Sequence, residues 1–311
     1  MGAFKAYVDQ YTNLKVVDPA TGGTVEVHIT GYGSGWEDNV AVMKDYEEKK
    51  AKDPDTPRPK PAGNRGQTGP RCQTEFALLR TALAKLLQPD AKQPILTAKI
   101  MTEKSEDLKK AFPGKVISVA GLTRAFLGKG SPTEMSDALT IAKSTGRIGD
   151  GKDVAGQTCA ARTFQDYADK FMTLDCNGLV GNATGVNPEF SPGWFADAKR
   201  VRKKIEDVQA GDIIVTVNAS GNHEHVAALD EFVRPPTTEK EPSCAIRIAE
   251  WGQAGDVAKH YSPDWKMVKI EKGEKYGLGF KSDGGKFRYF FAPPPDMAAP
   301  RVRGVDGDAT K

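Results

Sequence analysis

Hydrophobic and polar residues alternate near the start of the chain in a way that predicts a β-hairpin. Two β-prone runs in "LKVVDPATGGTVEVHIT" (14–30) flank the turn-forming "DPATGG". Val25, Val27 and Ile29 alternate with polar residues, which is the period of a strand with one buried face. His28 falls on the polar side of that strand, so we expect it at the surface.

Two segments further on repeat apolar residues at the spacing of an amphipathic helix. The stripe of the first, which Pro89 ends, consists of Phe76, Leu79, Leu83 and Leu86. The stripe of the second, within 161–172, consists of Phe164, Tyr167, Ala168 and Phe171. Each stripe predicts a helix that buries one face in a core.

A further helix is predicted by the residues at its ends. Ser131 is placed as the N-cap, Pro132 as the first helical residue, and Glu134 as the partner that completes a capping box. Gly146 lies where this helix would end. These signals are local, because each depends on groups only a few residues apart.

Strand-like runs dominate the chain after residue 210. They occupy 211–217, 223–232, 244–251, 265–270 and 286–291, with loops rich in Gly, Pro and Asn between them. Short connections between consecutive strands predict an antiparallel meander. Helices followed by a run of antiparallel strands indicate the α+β fold class.

Changes of composition divide the chain into five segments. Residues 49–70 are crowded with Pro, Gly and charge, which predicts a linker or long exposed loop. This predicted linker separates an N-terminal β-hairpin region (1–48) from a helical extension (71–150). The rest is interpreted as a domain that carries the candidate chemistry (151–295) and a flexible tail (296–311).

Overall composition narrows the classes of function. Of 311 residues, 39% are hydrophobic and 27% charged, and the net charge of +3 is too small to indicate a nucleic-acid partner. No apolar run approaches the ~20 residues of a membrane span. The start, "MGAFKAYVDQYTNLK", has no basic segment followed by an apolar core, so we expect synthesis in the cytoplasm without a signal peptide.

Candidate chemistry centres on the stretch "LDCNGLVGNATG", which holds one of only four cysteines. Asp175 and Cys176 lie at the predicted start of a short apolar helix. A helix N-terminus favours a thiolate and can hold a developing oxyanion, which makes Cys176 a candidate nucleophile. A buried structural thiol is the alternative. The cysteines show no CxxC spacing, so neither a zinc ribbon nor a disulfide framework is indicated.

A thiolate nucleophile needs an imidazole partner and a polar group that orients the imidazole. Of the four histidines, His28 lies before the predicted linker and His260 in a predicted loop. His223 and His225, in "NHEHVAAL", begin a predicted strand. Residues two apart on a strand share a face, so both could face the cysteine helix.

Three of these stretches together resemble the NlpC/P60 cysteine peptidases. "DCNGLV" is similar to that family's Asp-Cys-Ser-Gly-Leu/Phe-Val signature. "VQAGDIIVTV" and "HEHVAAL" are similar to its Pro-Gly-Asp-Leu-Val and His-Val-Gly strands, in the same order. The resemblance covers residues 160–275 and extends to the amidase-type CHAP relatives. It implies a papain-like core, in which a nucleophile helix packs on an antiparallel sheet.

Carried over residue by residue, the resemblance implies that Cys176 is the nucleophile and that His225, directly before Val226, is the base. The family's third residue lies on the following strand, where Glu250 and Gln253 are the candidates. Glu250 is preferred, because a carboxylate can stabilise an imidazolium.

Three residues near the implied site are predicted to contact substrate: Asp175, Tyr167 and His223, of which His223 could instead be a packing residue. The chain also departs from the family pattern. Asn177 replaces the Ser that usually follows the nucleophile, and the connection at 231–243 is long. The family's Tyr-Gly-Gly type segment ahead of the cysteine is missing.

The resemblance implies a hydrolase that cleaves an amide bond of bacterial peptidoglycan, in the stem peptide or between glycan and peptide, without a cofactor or metal. Such an enzyme would act in the periplasm or cell wall, delivered as a phage lysin or as a secreted effector. A delivery apparatus and an immunity protein are candidate partners. One alternative is a non-catalytic structural or interaction module. Another is a metal site at His223, Glu224 and His225, which would need a further ligand.

Overall fold

A computed structural model describes residues 3–32, 70–196, 201–236, 243–254, 257–261, 266–273, 277–281 and 287–293. Its helices are α1 (Ala3–Thr12), α2 (Pro70–Leu87), α3 (Glu106–Ala111), α4 (Val119–Phe126), α5 (Pro132–Ser144), α6 (Phe164–Phe171), α7 (Cys176–Thr184) and α8 (Pro192–Phe195). Of the predicted linker only Pro70 falls within these ranges, and the predicted tail at 296–311 lies outside them.

The strands are mostly short ahead of residue 210 and longer after it. They are β1 (Leu14–Val17), β2 (Thr24–Val27), β3 (Gly31–Tyr32), β4 (Lys99–Met101), β5 (Val116–Ser118), β6 (Thr173–Leu174), β7 (Ile213–Asn218), β8 (His223–Arg234), β9 (Ser243–Ala254), β10 (Val257–Tyr261), β11 (Lys266–Lys269), β12 (Glu271–Gly273), β13 (Gly277–Lys281) and β14 (Phe287–Ala292). The mixture of helices and antiparallel sheet confirms the α+β fold class.

Predictions that rest on neighbouring residues are confirmed. Strands β1 and β2 form the hairpin, and His28 is exposed beyond it. Val27 and Ile29 are buried as expected, but Val25, expected on the same buried face, is exposed. At the start of α5 the hydroxyl of Ser131 accepts from the N–H of Glu134 at 3.3 Å. The Glu134 carboxylate accepts from the N–H of Ser131 at 2.9 Å, which completes the capping box. The four apolar residues of the α6 stripe are all buried.

The strands from β7 onward form one sheet of order β10-β9-β8-β7-β14-β13-β12, and β11 also pairs with β9. Strands β7, β8 and β9 make the predicted meander, but β14 returns to pair with β7 on its other side. The fourth predicted run, β11, pairs with β9 as a meander requires. The meander prediction is wrong for the fifth run, β14, which pairs with β7 and β13 and not with β11. His260, expected in a loop, lies in β10.

One hydrophobic core joins the helical and strand-rich parts of the chain. The indole N–H of Trp251 in β9 donates to the carbonyl of Gly31 at 3.1 Å, which ties the sheet to the N-terminal region. The core draws residues from three of the predicted segments, among them Tyr11, Ile29, Leu83, Phe126, Leu139, Leu174, Leu179 and Trp251. Helices and strand β9 therefore share one core in the described chain. None of its helices has the length and apolar character needed to cross a membrane.

Candidate active site

The candidate nucleophile lies in the first turn of α7. Cys176 is the first residue of this helix, and Asp175 is its N-cap. Atom Oδ1 of Asp175 accepts a hydrogen bond from the N–H of Gly178 at 2.6 Å. Helix geometry leaves the other N–H groups of this turn without an intrahelical partner, and the helix dipole adds partial positive charge. The Cys176 sulfur therefore lies where a thiolate and an oxyanion are stabilised.

A glycine allows the start of α7 to approach the loop that follows α4. A Cβ on Gly178 would lie 2.2 Å from the carbonyl oxygen of Gly128, closer than real Cβ atoms come. The N–H of Asp175 donates to the same carbonyl at 2.9 Å. Helix α7 also packs against β8 and β9. The glycine of the Asp-Cys-x-Gly element therefore sets how closely the nucleophile helix sits on this loop.

His225 connects the cysteine to a carboxylate. It lies in β8, two residues before Ala227, which is directly opposite Glu250 in β9. The ring Nε2 hydrogen-bonds with Oε2 of Glu250 at 3.2 Å. The Cys176 sulfur also acts on the pKa of the ring. The thiol of Cys176 itself donates to Oδ1 of Asn177 at 3.6 Å. The fold thus brings together Cys176, His225 and Glu250, while the side chain of Gln253 lies outside the described part.

The surroundings of His225 favour its protonated form. Burial of the ring would lower its pKa, but the negative charge of the Cys176 sulfur, a hydrogen bond with that sulfur and the contact with Glu250 outweigh burial. Together they raise the pKa of His225 from 6.5 to about 10. At neutral pH the ring is therefore an imidazolium, whose two N–H groups can both donate.

The two histidines of "HEHV" do not share a face of the sheet. His225 is opposite Thr216 and His223 is opposite Val217, with a β-bulge between the two pairs. Neighbouring residues of β7 point to opposite faces, so the bulge turns the two imidazoles apart and the expectation of a common face is wrong. His223 packs on α8, where a Cβ on Gly193 would lie 3.1 Å from its Nδ1.

Asp175, predicted to contact substrate, holds the helix instead. It is buried, with 4% of its surface exposed. Its Oδ1 caps α7 through Gly178, and its Oδ2 forms an ion pair with Nζ of Lys129. Burial raises the pKa of Asp175, and the positive charge of Lys129 opposes that rise. With both oxygens bonded, the carboxylate has a structural role at the start of the nucleophile helix.

Tyr167, also predicted to contact substrate, belongs to the core. Its side chain has no exposed surface, and its ring packs against Phe126. Its hydroxyl donates to Oε1 of Glu75 at 2.9 Å. The guanidinium of Arg147 donates to both oxygens of the same carboxylate, at 2.9 and 2.5 Å. We therefore assign Tyr167 to a buried polar network, because a fully enclosed side chain cannot reach a ligand.

The four cysteines are free thiols in different surroundings. Cys72, Cys176 and Cys244 are all buried, and burial raises the pKa of Cys244 to about 11. Cys159 is half-buried, and its thiol donates to the carbonyl of Gly146 at 3.1 Å. Cys176 lies beside an imidazolium at a helix start. The environment that favours a reactive thiolate therefore belongs to Cys176.

Sequence reasoning missed Lys129, which reaches the start of α7 from the loop after α4. It stands in "LGKGS", between two glycines, a context that is typical of an exposed turn. Its side chain is nevertheless buried against Asp175. No spacing or motif in the sequence connects the two residues, because only the tertiary structure makes them neighbours.

The assembled groups are suited to nucleophilic attack on a carbonyl. They comprise a cysteine at a helix N-terminus, an imidazolium that can protonate a leaving group, and a carboxylate that orients it. Glu224, the middle residue of the His-Glu-His triplet, accepts a hydrogen bond from Asn218, and across the described ranges no three His, Cys, Asp or Glu side chains are grouped to hold a metal ion. Comparison with known protein families, with curated proteins and with solved structures finds no match for this chain.

Proposed function

We propose that the protein is a cysteine hydrolase that cleaves an amide bond through an acyl-enzyme. The observation that carries this proposal is the hydrogen bond of His225 with the carboxylate of Glu250, on a ring whose pKa is also raised by the sulfur of Cys176. A protonated imidazole held by a carboxylate beside a cysteine is the arrangement that nucleophilic thiol catalysis requires. A cysteine with a purely structural role would need neither an imidazole nor a carboxylate beside it.

The reaction divides into two displacements. The Cys176 thiolate attacks the amide carbonyl, and the first-turn N–H groups of α7 stabilise the oxyanion. With Nε2 of His225 turned to Glu250, Nδ1 is the nitrogen that gives its proton to the departing amine as the C–N bond breaks. Water then loses a proton to the same nitrogen and attacks the thioester. The carboxylic acid leaves and the thiolate returns.

The proposed substrate is an amide of bacterial peptidoglycan, in the stem peptide or between glycan and peptide. Support comes from "DCNGLV", "GDIIVTV" and "HEHVAAL", which occur in the order of the NlpC/P60 peptidases. Helix α7 packs against β8, and β7 pairs with β8, so the three motifs lie on adjoining elements. Action in the periplasm or cell wall, after delivery by a phage or a secretion apparatus, belongs to the same proposal.

Digestion of purified sacculi tests this function directly. We expect the wild-type protein to release soluble muropeptides, and mass spectrometry should identify a single type of cleaved amide. The matched blank is Cys176→Ala protein prepared in the same way. Sacculi that stay intact, while the wild-type protein is folded, would exclude peptidoglycan as the substrate. Equal release by both proteins would point to a contaminating hydrolase.

Replacing Glu250 with glutamine should change the pH dependence of turnover. The carboxylate contributes to the raised pKa of His225, about 10 in the native protein. Without its negative charge the imidazolium loses its proton more readily, so the pKa of His225 falls and the alkaline limb of the pH–rate profile moves to lower pH. Glu250→Ala, which also removes the acceptor, should lower kcat by about 10²–10⁴-fold.

The matched control for Glu250 is Glu231→Gln, an equivalent change in the same sheet. The Glu231 carboxylate pairs with Arg247 and not with the candidate site. We expect its pH–rate profile to overlay that of the wild type. An alkaline limb that stays in place in Glu250→Gln would assign the orienting role to another group or leave a Cys–His pair alone.

A further inference from the structure

Lys129 is held rigidly beside the nucleophile helix. Its N–H donates to the carbonyl of Arg124 at 2.9 Å, and its own carbonyl accepts from Nδ2 of Asn182 in α7, also at 2.9 Å. The next carbonyl along the chain, that of Gly130, accepts from the hydroxyl of Tyr11 at 3.0 Å. Because both backbone groups of Lys129 are bonded, the point from which its side chain extends is fixed.

The side chain of Lys129 extends to the carboxylate of Asp175, the residue before the nucleophile. The ammonium of Lys129 forms an ion pair with Oδ2 of Asp175, and the two side chains are 11% and 5% exposed. Charges buried to this degree are tolerated only in pairs, and removal of one partner leaves the other uncompensated. The ion pair therefore permits a full carboxylate to stand as the N-cap of α7.

The carboxylate has two opposing effects on the neighbouring thiolate. As the N-cap it fixes the first turn, and so the position of the Cys176 sulfur relative to His225. Its negative charge, however, opposes a second negative charge on the sulfur one residue away. Lys129 cancels that charge while it leaves the hydrogen bond to Gly178 in place. Asp175 can then cap the helix without its negative charge destabilising the thiolate.

We propose that Lys129 is a positioning residue for the Cys176 nucleophile, which it serves by holding and neutralising the Asp175 cap. The inference rests on the proposed cysteine hydrolase and assigns a further residue to that site. Lys129 does not touch substrate. Its effect on the reaction passes through Asp175 and the first turn of α7.

The rate of iodoacetamide labelling at Cys176, resolved by mass spectrometry, tests the inference without a substrate. Lys129→Met leaves the Asp175 carboxylate unpaired and should slow labelling at pH 7 by about tenfold or more. The acidic limb of the labelling profile should also move to higher pH, because an unscreened carboxylate opposes the thiolate. In the double variant Lys129→Met/Asp175→Asn the cap is uncharged but still accepts a hydrogen bond, so rate and profile should return close to wild type.

Lys115→Met is the matched control. The Lys115 ammonium pairs with Asp137 at 2.6 and 2.7 Å in the helical part of the chain, so its loss also breaks a lysine–aspartate pair. It should leave the Cys176 labelling profile unchanged.

Two outcomes would overturn the role of Lys129. One is a folded Lys129→Met protein with the wild-type rate and profile. The other is a folded double variant that labels slowly, which also decides the matter if Lys129→Met alone fails to fold. The proposed function fails separately, if Cys176 of the wild-type protein labels no faster than the half-buried Cys159.

Discussion

Cys176→Ala is expected to lower kcat/KM for amide cleavage by about 10⁵-fold or more, the largest effect of any single substitution considered. The sulfur is the atom that forms and breaks the covalent bond, so the alanine protein has no nucleophile to replace it. Helix α7 should persist, because its cap is the side chain of Asp175 and its other apolar side chains, Leu179 and Val180, stay buried. Turnover of soluble muropeptide fragments measures the loss, and circular dichroism verifies the fold.

Cys159→Ala provides the matched control for this prediction. That cysteine is half-buried in the loop after α5, with its thiol bonded to the carbonyl of Gly146. We expect full activity from the Cys159→Ala protein. In a short pulse of iodoacetamide, Cys176 should label much faster than Cys72, Cys159 and Cys244, because an imidazolium and a helix N-terminus both stabilise its thiolate. Equal labelling of all four cysteines would refute the nucleophile assignment.

His225→Ala should have the next largest effect, about 10⁴-fold in kcat. The ring supplies the proton for the leaving amine and the positive charge beside the sulfur, and an alanine supplies neither. We therefore expect the alkylation of Cys176 at neutral pH to slow together with turnover. A kinetic loss without any change in alkylation would show that His225 acts on the substrate alone.

Two other histidines serve as comparisons for His225. His28 is exposed beyond the N-terminal hairpin, so His28→Ala should be indistinguishable from wild type. His223 packs against Gly193 of α8, on the other side of the bulge. Its replacement should leave most of kcat, because the ring packs on α8 and is turned away from His225. If His223→Ala proves the more damaging of two folded variants, the assignment of the base must pass to His223.

Features set by neighbouring residues were determined by the sequence alone. The capping box of Ser131 and Glu134, the hairpin turn and the buried stripe of α6 follow from groups within one or two turns of each other. The physical reason is that periodicity and capping are short-range, so the signal and the structure it predicts occupy the same residues. The α+β class follows from the order of such elements along the chain.

The residues of the candidate site could be proposed from the sequence. Cys176 at a helix start and His225 near a strand start are properties of their own segments. Glu250 could be placed on the following strand, because consecutive antiparallel strands are neighbours. Glu250 was preferred to Gln253 on the chemistry of a carboxylate alone, since only the tertiary structure shows that its side chain reaches the ring.

Only the tertiary structure decided how these parts are supported. Lys129 meets Asp175, and Tyr167 meets Glu75, across long stretches of chain that no local pattern connects. The bulge that separates His223 from His225 arises from pairing with β7 and changes a face that alternation alone would assign wrongly. Strand β14 lies beside β7 through pairing between distant segments, which no local pattern predicts. Contacts between distant segments depend on how whole elements pack, and single residues carry no signal of their partners.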